Sequence, residues 1–154
     1  MRIRPSHIHF TQDSIKNTFR DGHTLLETAL QIVREEVGKR DIIPLISVIR
    51  VGDGRLFTLD NRRLAVFRLL EICNRVGTIK VEVVPASRWS NEWNRKATTA
   101  DGGKTIVVRD TTFIIGRNRR ETNFPGLYDI QNTFAHHTMP HSQFKVFLAG
   151  FTDE

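Results

Sequence analysis

A chain of 154 residues is long enough to bury a core of its own as one domain, and 39% hydrophobic against 26% charged residues is the balance of an ordinary globular protein. One cysteine excludes a disulfide framework within the chain and fits a reducing compartment, cytoplasmic or nuclear, while the lack of any apolar run near the roughly 18 residues of a membrane span excludes a membrane partner from the expectations. Twenty-three Lys and Arg against 17 Asp and Glu leave a formal charge of +6, which tilts the expected partners toward phosphate-bearing ligands and nucleic acid.

In chain order, Ile3, Ile8 and Phe10 alternate weakly and predict an edge strand within residues 2–10. Thr11-Gln12-Asp13-Ser14 then reads as a helix start, with Thr11 as cap and Ile15 and Phe19 on one face. Thr24 and Glu27 have the spacing of a capping box, and Leu26, Ala29, Leu30, Val33 and Val37 predict a helix over 24–37 that Gly38 ends. Glu35, Glu36, Lys39 and Arg40 are expected on its solvated face. Asp41 to Val51 and Arg55 to Leu59 predict a hairpin around Gly52-Asp53-Gly54.

The period then changes. Leu64, Phe67 and Leu70, flanked by Ala65, Leu69 and Ile72, predict a helix from Asn61 to about Arg75, capped by Asp60, closed by Gly77 and carrying a Glu71–Arg75 pair. Cys73 falls near its apolar face, as a buried thiol. Arg62 and Arg63 occupy the first turn, where cations are disfavoured unless an anion is bound; free amides and arginines together suit a phosphate.

Thr78 to Val84 predicts a strand stopped by Pro85, and Ser87 to Lys96 a short helix. Trp89 and Trp93, with Arg88, Arg95 and Lys96, fit either packing on the sheet or base stacking. Asp101-Gly102-Gly103 is a turn, followed by strands at Lys104–Arg109 and Thr112–Ile115. Arg117-Asn118-Arg119-Arg120 is a basic loop: solvated charge, or further phosphate-binding charge if it folds over the helix start. His136, His137 and His141 lack the ligand set of a metal site, so none is assigned. Phe144 to Phe151 predicts a last strand. Strands alternating with amphipathic helices give an α/β fold, a small mixed sheet with packed helices.

Ile43-Pro44-Leu45-Ile46-Ser47-Val48, the turn, Leu59-Asp60-Asn61-Arg62-Arg63-Leu64 and Ile79-Lys80-Val81-Glu82-Val83-Val84 resemble, in that order, the ParB/sulfiredoxin-like (ParB N-terminal-like nuclease) superfamily, and Ile3-Arg4-Pro5-Ser6-His7-Ile8 resembles its first box. The resemblance covers about residues 2–84 of a single domain, with 85–154 as a C-terminal elaboration. Asp60-Asn61 stands where ParB proteins tend to show Gly-Glu, and Asn61 where sulfiredoxins place their catalytic cysteine. Cys73 lies about three helical turns further on, so sulfiredoxin chemistry is not expected.

The resemblance implies a nucleotide site binding ATP, ADP or CTP, with Mg2+ as a companion, and phosphoester hydrolysis or phosphoryl transfer as the reaction class. Asn61, Arg62 and Arg63 with Thr11, Gln12, Asp13 and Ser14 would hold the phosphates. Asp60 would position a metal-bound water or act as a base. The alternatives are a non-catalytic nucleic-acid module using Arg117, Arg119 and Arg120 with Arg88 and Arg95, or a scaffold mediating protein contacts.

Overall fold

The computed structural model describes residues 1–35, 46–89, 101–136 and 139–150. The expectations for Glu36, Val37, Gly38, Lys39, Arg40, Trp93, Arg95, Lys96, His137 and Phe151 lie outside the described residues. The architecture is mixed α/β, built on two mixed sheets rather than one.

Residues 2–10 do form sheet edges, but two of them. β1 (Arg2–Ile3) and β2 (Ile8–Phe10) are separated by a 3-10 turn at Pro5–His7, where proline's fixed φ suits the first helical position. β4 (Ile46–Arg50) and β5 (Leu56–Thr58) form the expected antiparallel hairpin, its turn using Gly54 at φ +93°. β6 (Ile79–Val83) joins them to give the order β1-β6-β4-β5-β2. β1 and β2 therefore lie at opposite edges, β1 antiparallel to β6 and β2 parallel to β5. The second sheet has the order β3-β7-β8, from β3 (Ser14–Ile15), β7 (Ile106–Val108) and β8 (Ile114–Ile115). Its β7–β8 pair is the expected hairpin.

The helix expected from Thr11 is absent. Asp13 O accepts from Val107 N–H, and Ser14 and Ile15 pair in parallel with Val107 and Val108, so the polar quartet leads into a strand. A capping residue and one apolar pair were too little to set a helical period against a buried strand partner distant in sequence. At the other end, residues 144–150 belong to a helix rather than a strand. In α4 (His141–Gly150) Phe144 and Phe147 are buried three apart, while Val146 is 73% exposed, so the working period is three to four rather than two. Between them lies α3 (Leu127–Asn132).

α1 (Leu25–Arg34) begins as expected. Thr24 Oγ1 accepts from Glu27 N–H at 3.0 Å, and Glu27 Oε1 accepts from Thr24 N–H at 2.9 Å. Its buried face is Leu25, Thr28, Ala29, Ile32 and Val33, so Leu26 and Leu30 of the expected stripe sit on its flanks, partly buried. Glu35 is not solvated. It is 1% exposed, and its Oε1 accepts from the backbone N–H of Met139 and from Gln31 Nε2, because the segment leading into α4 crosses the end of α1 there.

α2 (Asn61–Ile72) is the central helix. Seven consecutive residues, Leu64 to Leu70, are each 1% exposed or less, so the helix is enclosed over nearly two turns rather than along one stripe. Its C-terminus closes at Asn74, not Gly77. Asn74 adopts φ +58°, its N–H reaches Glu71 O, and Arg75 N–H reaches Leu70 O, the paired bonds of a left-handed helix end. Glu71 does not pair with Arg75. It accepts instead from Ser6 N–H, Ser6 Oγ and Arg4, while Arg75 donates to Gln131 O, so both ends of the expected pair hold other segments.

Enclosure leaves one charge inside. Arg68 is 1% exposed, with Nε donating to Pro5 O, Nη1 to Lys104 O and Nη2 to Ile8 O, and its guanidinium lies 4.4 Å from the centre of the Phe10 ring. Burial pushes its pKa down to about 10, still charged at neutral pH. Arg68→Met would keep the stem and orphan buried carbonyls, each worth about 1–3 kcal/mol. We expect it to lower unfolding free energy by about 3 kcal/mol or more in urea denaturation; a loss below about 1 kcal/mol would mean water satisfies those carbonyls.

Candidate functional site

The strand-to-helix junction at the head of α2 is closed by its own polar groups. Asn61, 1% exposed, accepts from Thr11 N–H through Oδ1 at 2.9 Å, and its Nδ2 donates to Thr11 Oγ1, Leu59 O and Gln12 Oε1. Thr11 Oγ1 donates to Thr58 O, Thr58 Oγ1 donates to Ser47 O, and Asp60 N–H donates to Thr58 Oγ1. Asp60 makes no side-chain cap bond. Its Oδ2 accepts from Ser47 N–H at 2.8 Å instead, a brace between β4 and the α2 junction. Thr11, Gln12, Asp60 and Asn61 are thus brought together as expected, but in a latch that joins β2, β4, β5 and α2.

Arg62 leaves the same turn in another direction. Its Nη1 donates to Thr18 O at 2.6 Å and its guanidinium lies 5.7 Å from the Phe19 ring centre. Arg63 is half-buried beside it. Thr18 in turn lines an open groove of about 540 Å³ with Lys16, Asn17, Arg109, Asp110 and Thr111.

Strand pairing builds that groove. β3 and β7 run parallel with Ile15 beside Val108, and Arg109 N–H donates to Ile15 O at 2.8 Å, so both strands end together and release Lys16 and Arg109 side by side. Arg109 is steadied by Nε donating to Ser14 Oγ at 3.0 Å. Ser14 therefore supports the groove from beneath, while the exposed Asp13 contributes its carbonyl to the sheet. Lys16 has no partner among the described residues. Asp110 sits at φ +63°, in the left-handed region that aspartate tolerates better than most side chains, and is the carboxylate of the lining. None of the groove lining was expected from sequence. Lys16 and Arg109 meet only through a parallel pairing of distant segments, which no local pattern announces.

The basic loop is largely consumed by structure. Arg117 Nε and Nη2 donate to Glu121 Oε1 and Oε2 at 2.9 and 2.6 Å, and Arg119 Nη2 donates to Gln131 Oε1. Through Arg119 the loop is tied to Gln131 of α3. Arg120 is exposed. Cys73 is 3% exposed with Sγ donating to Leu127 O, and burial pushes its thiol pKa up, as expected for an inert thiol. No group of three potential metal ligands occurs among the described residues.

No family model, curated protein or solved structure matches the chain.

Asn61→Ala should behave as a core lesion. It orphans Thr11 N–H in a buried position, and we expect a loss of about 1–3 kcal/mol in chemical denaturation. Unchanged stability would mean Asn61 is held for a ligand rather than for the junction. A second expectation concerns pH. The Arg117 side chain holds the Glu121 carboxyl down to about 2, below the ordinary 4.5. The pair therefore contributes fully above pH 4.5 and is lost as pH falls from there toward 2. Glu121→Gln should shrink the difference in urea midpoint between about pH 7 and about pH 3, and an undiminished difference would assign acid sensitivity elsewhere.

Proposed function

We propose that this chain binds a phosphate-bearing ligand, a nucleotide in preference to bare phosphate, in the groove between the ends of β3 and β7. The observation that carries the reading is the composition of the groove. Lys16 and Arg109 supply charge, Asn17 and Thr18 supply neutral hydrogen-bonding groups, and Arg62 brings a third cation to Thr18. Against these stands one carboxylate, Asp110. Cations with short polar side chains at strand ends are what a phosphate needs, since charge-assisted bonds are about twice as strong as neutral ones. Ligand sites in α/β proteins also favour the carboxyl ends of parallel strands.

The resemblance of residues 2–84 to the ParB/sulfiredoxin superfamily supports the same ligand class, with phosphoester hydrolysis or phosphoryl transfer as the reaction and Mg2+ as companion. In that reading Arg62, bonded to the Thr18 carbonyl, links the head of α2 to the groove. Asp110 replaces Asp60 as the acid nearest the phosphates, because Asp60 is engaged by the Ser47 amide. A polynucleotide reading gains little from the basic loop, two of whose arginines are bonded internally.

The test is a thermal-shift panel of ATP, ADP, CTP and pyrophosphate, with and without magnesium. At about one hundred times Kd, a ligand specific for the folded state adds roughly 2.7 kcal/mol. Lys16→Ala, which removes no internal bond among the described residues, should weaken the best ligand about tenfold with melting temperature unchanged. No saturable shift with any of the four, or an indifferent Lys16→Ala, would refute the groove as a phosphate site. Affinity for single-stranded DNA that collapses with salt, without a mononucleotide shift, would favour the non-catalytic module instead.

A further inference from the structure

A second groove lies between α1 and α4, and it shares no lining residue with the first. α4 runs antiparallel beside α1. The segment entering it meets the end of α1 through Met139 N–H on Glu35, and its last residue, Gly150, lies against Asp21 just before α1 begins. Between them is a space of about 360 Å³, within the range of small-molecule sites. Leu30 from the flank of α1, with Met139 and Phe147 from the other wall, gives it an apolar floor. Its polar lining runs along one face of α1 from Glu27 through Gln31 to Arg34, a span of about 10 Å at the helical rise.

These polar groups are not equivalent. His23 Nδ1 is bonded to Asp21 Oδ2 at 2.9 Å, Glu27 is closed into the Thr24 box, and Gln31 Nε2 donates to Glu35. Among these polar side chains Arg34 alone has no hydrogen bond among the described residues. Arg34 is half-buried as a residue, and its guanidinium has no hydrogen-bond or ion-pair partner among the described residues. A cation partly withdrawn from water without a counter-charge is unfavourable, and a carboxylate is the planar, bidentate partner that a guanidinium fits best.

We propose that the α1–α4 groove binds a small amphipathic monocarboxylate, its alkyl or aryl body on Leu30, Met139 and Phe147 and its carboxylate on Arg34. The span favours a chain of medium length lying along α1, acid end toward the helix C-terminus. The two grooves are separate, so phosphate ligands do not compete.

Calorimetric titration of the full chain with octanoate, octanol and octylammonium tests this. Octanoate should bind saturably at one site, octanol about tenfold more weakly, and octylammonium not measurably, the charge-assisted pair making the difference. Arg34→Gln should bring octanoate down to the level of octanol, and Arg34→Lys should restore part of the loss. Pyrophosphate at saturation should leave octanoate binding unchanged. Equal binding of octanoate and octanol, no saturable octanoate binding, or an Arg34→Gln variant that binds octanoate as before would each overturn the proposal. If that variant fails to fold, the three-ligand comparison on the unaltered chain still decides it.

Discussion

The buried guanidinium of Arg68 sets the terms for the rest of the chain. A charge inside a helix enclosed on all sides must find acceptors or be expelled, and here they are three backbone carbonyls, of Pro5, Ile8 and Lys104. Two belong to the N-terminal segment and one to the turn after Asp101. Those segments are thereby pinned to the middle of α2, nearly a hundred residues apart in sequence. The same turn is fixed from within, because the Asp101 carboxylate accepts from the amides of Gly103, Lys104 and Thr105. Gly103 adopts φ +82° with its α-carbon packed on Phe10, where a side chain would strike the Phe10 carbonyl. Its own carbonyl accepts from Phe10 N–H. A non-glycine residue there would push the turn off β2 and carry the Lys104 carbonyl away from Arg68.

What was legible in the sequence follows the range of the interactions. The Thr24–Glu27 box, the β4–β5 hairpin, the Asp101 turn and the course of α2 depend on contacts between near neighbours, and their residues announced them. The two misread ends failed for the opposite reason. Thr11 has the chemistry of a helix cap, but its hydroxyl and amide are claimed by Thr58 and Asn61, about fifty positions away. Residues 144–148 fit either period on paper. The burial of Phe144 and Phe147 against the core, with Val146 left outside, decided for the helix. Arg68 itself looks like any surface arginine of an amphipathic helix until the whole helix is seen to be enclosed.

The site shows the same division more sharply. Asp60-Asn61-Arg62-Arg63 drew attention because arginines at a helix start suit an anion, and the residues are indeed gathered there. Yet two of the four, Asp60 and Asn61, are occupied in holding four elements together. A signature of this kind can persist for the junction it makes, independently of any ligand. Lys16 and Arg34, which have no partner among the described residues, lie outside the stretch that the signature covers.

That contrast is the physical basis for choosing where ligands go. Many polar groups of this fold are answered from within: Asn61 by Thr11, Glu35 by Gln31 and Met139, Arg68 by carbonyls and, nearer the surface, Glu121 by Arg117, whereas the buried Thr28 Oγ1 has no partner among the described residues. Each answered group has little to offer a ligand, since binding would exchange one good hydrogen bond for another at small net gain. Lys16 and Arg34 are different, both lining grooves and both without a partner among the described residues. Their surroundings then separate the two ligands. Lys16 stands among a second cation and short polar side chains at an open strand end, which suits the multiple charged oxygens of a phosphate. Arg34 stands at the end of a groove with an apolar floor and one polar wall, which suits a single acid group on a hydrophobic body.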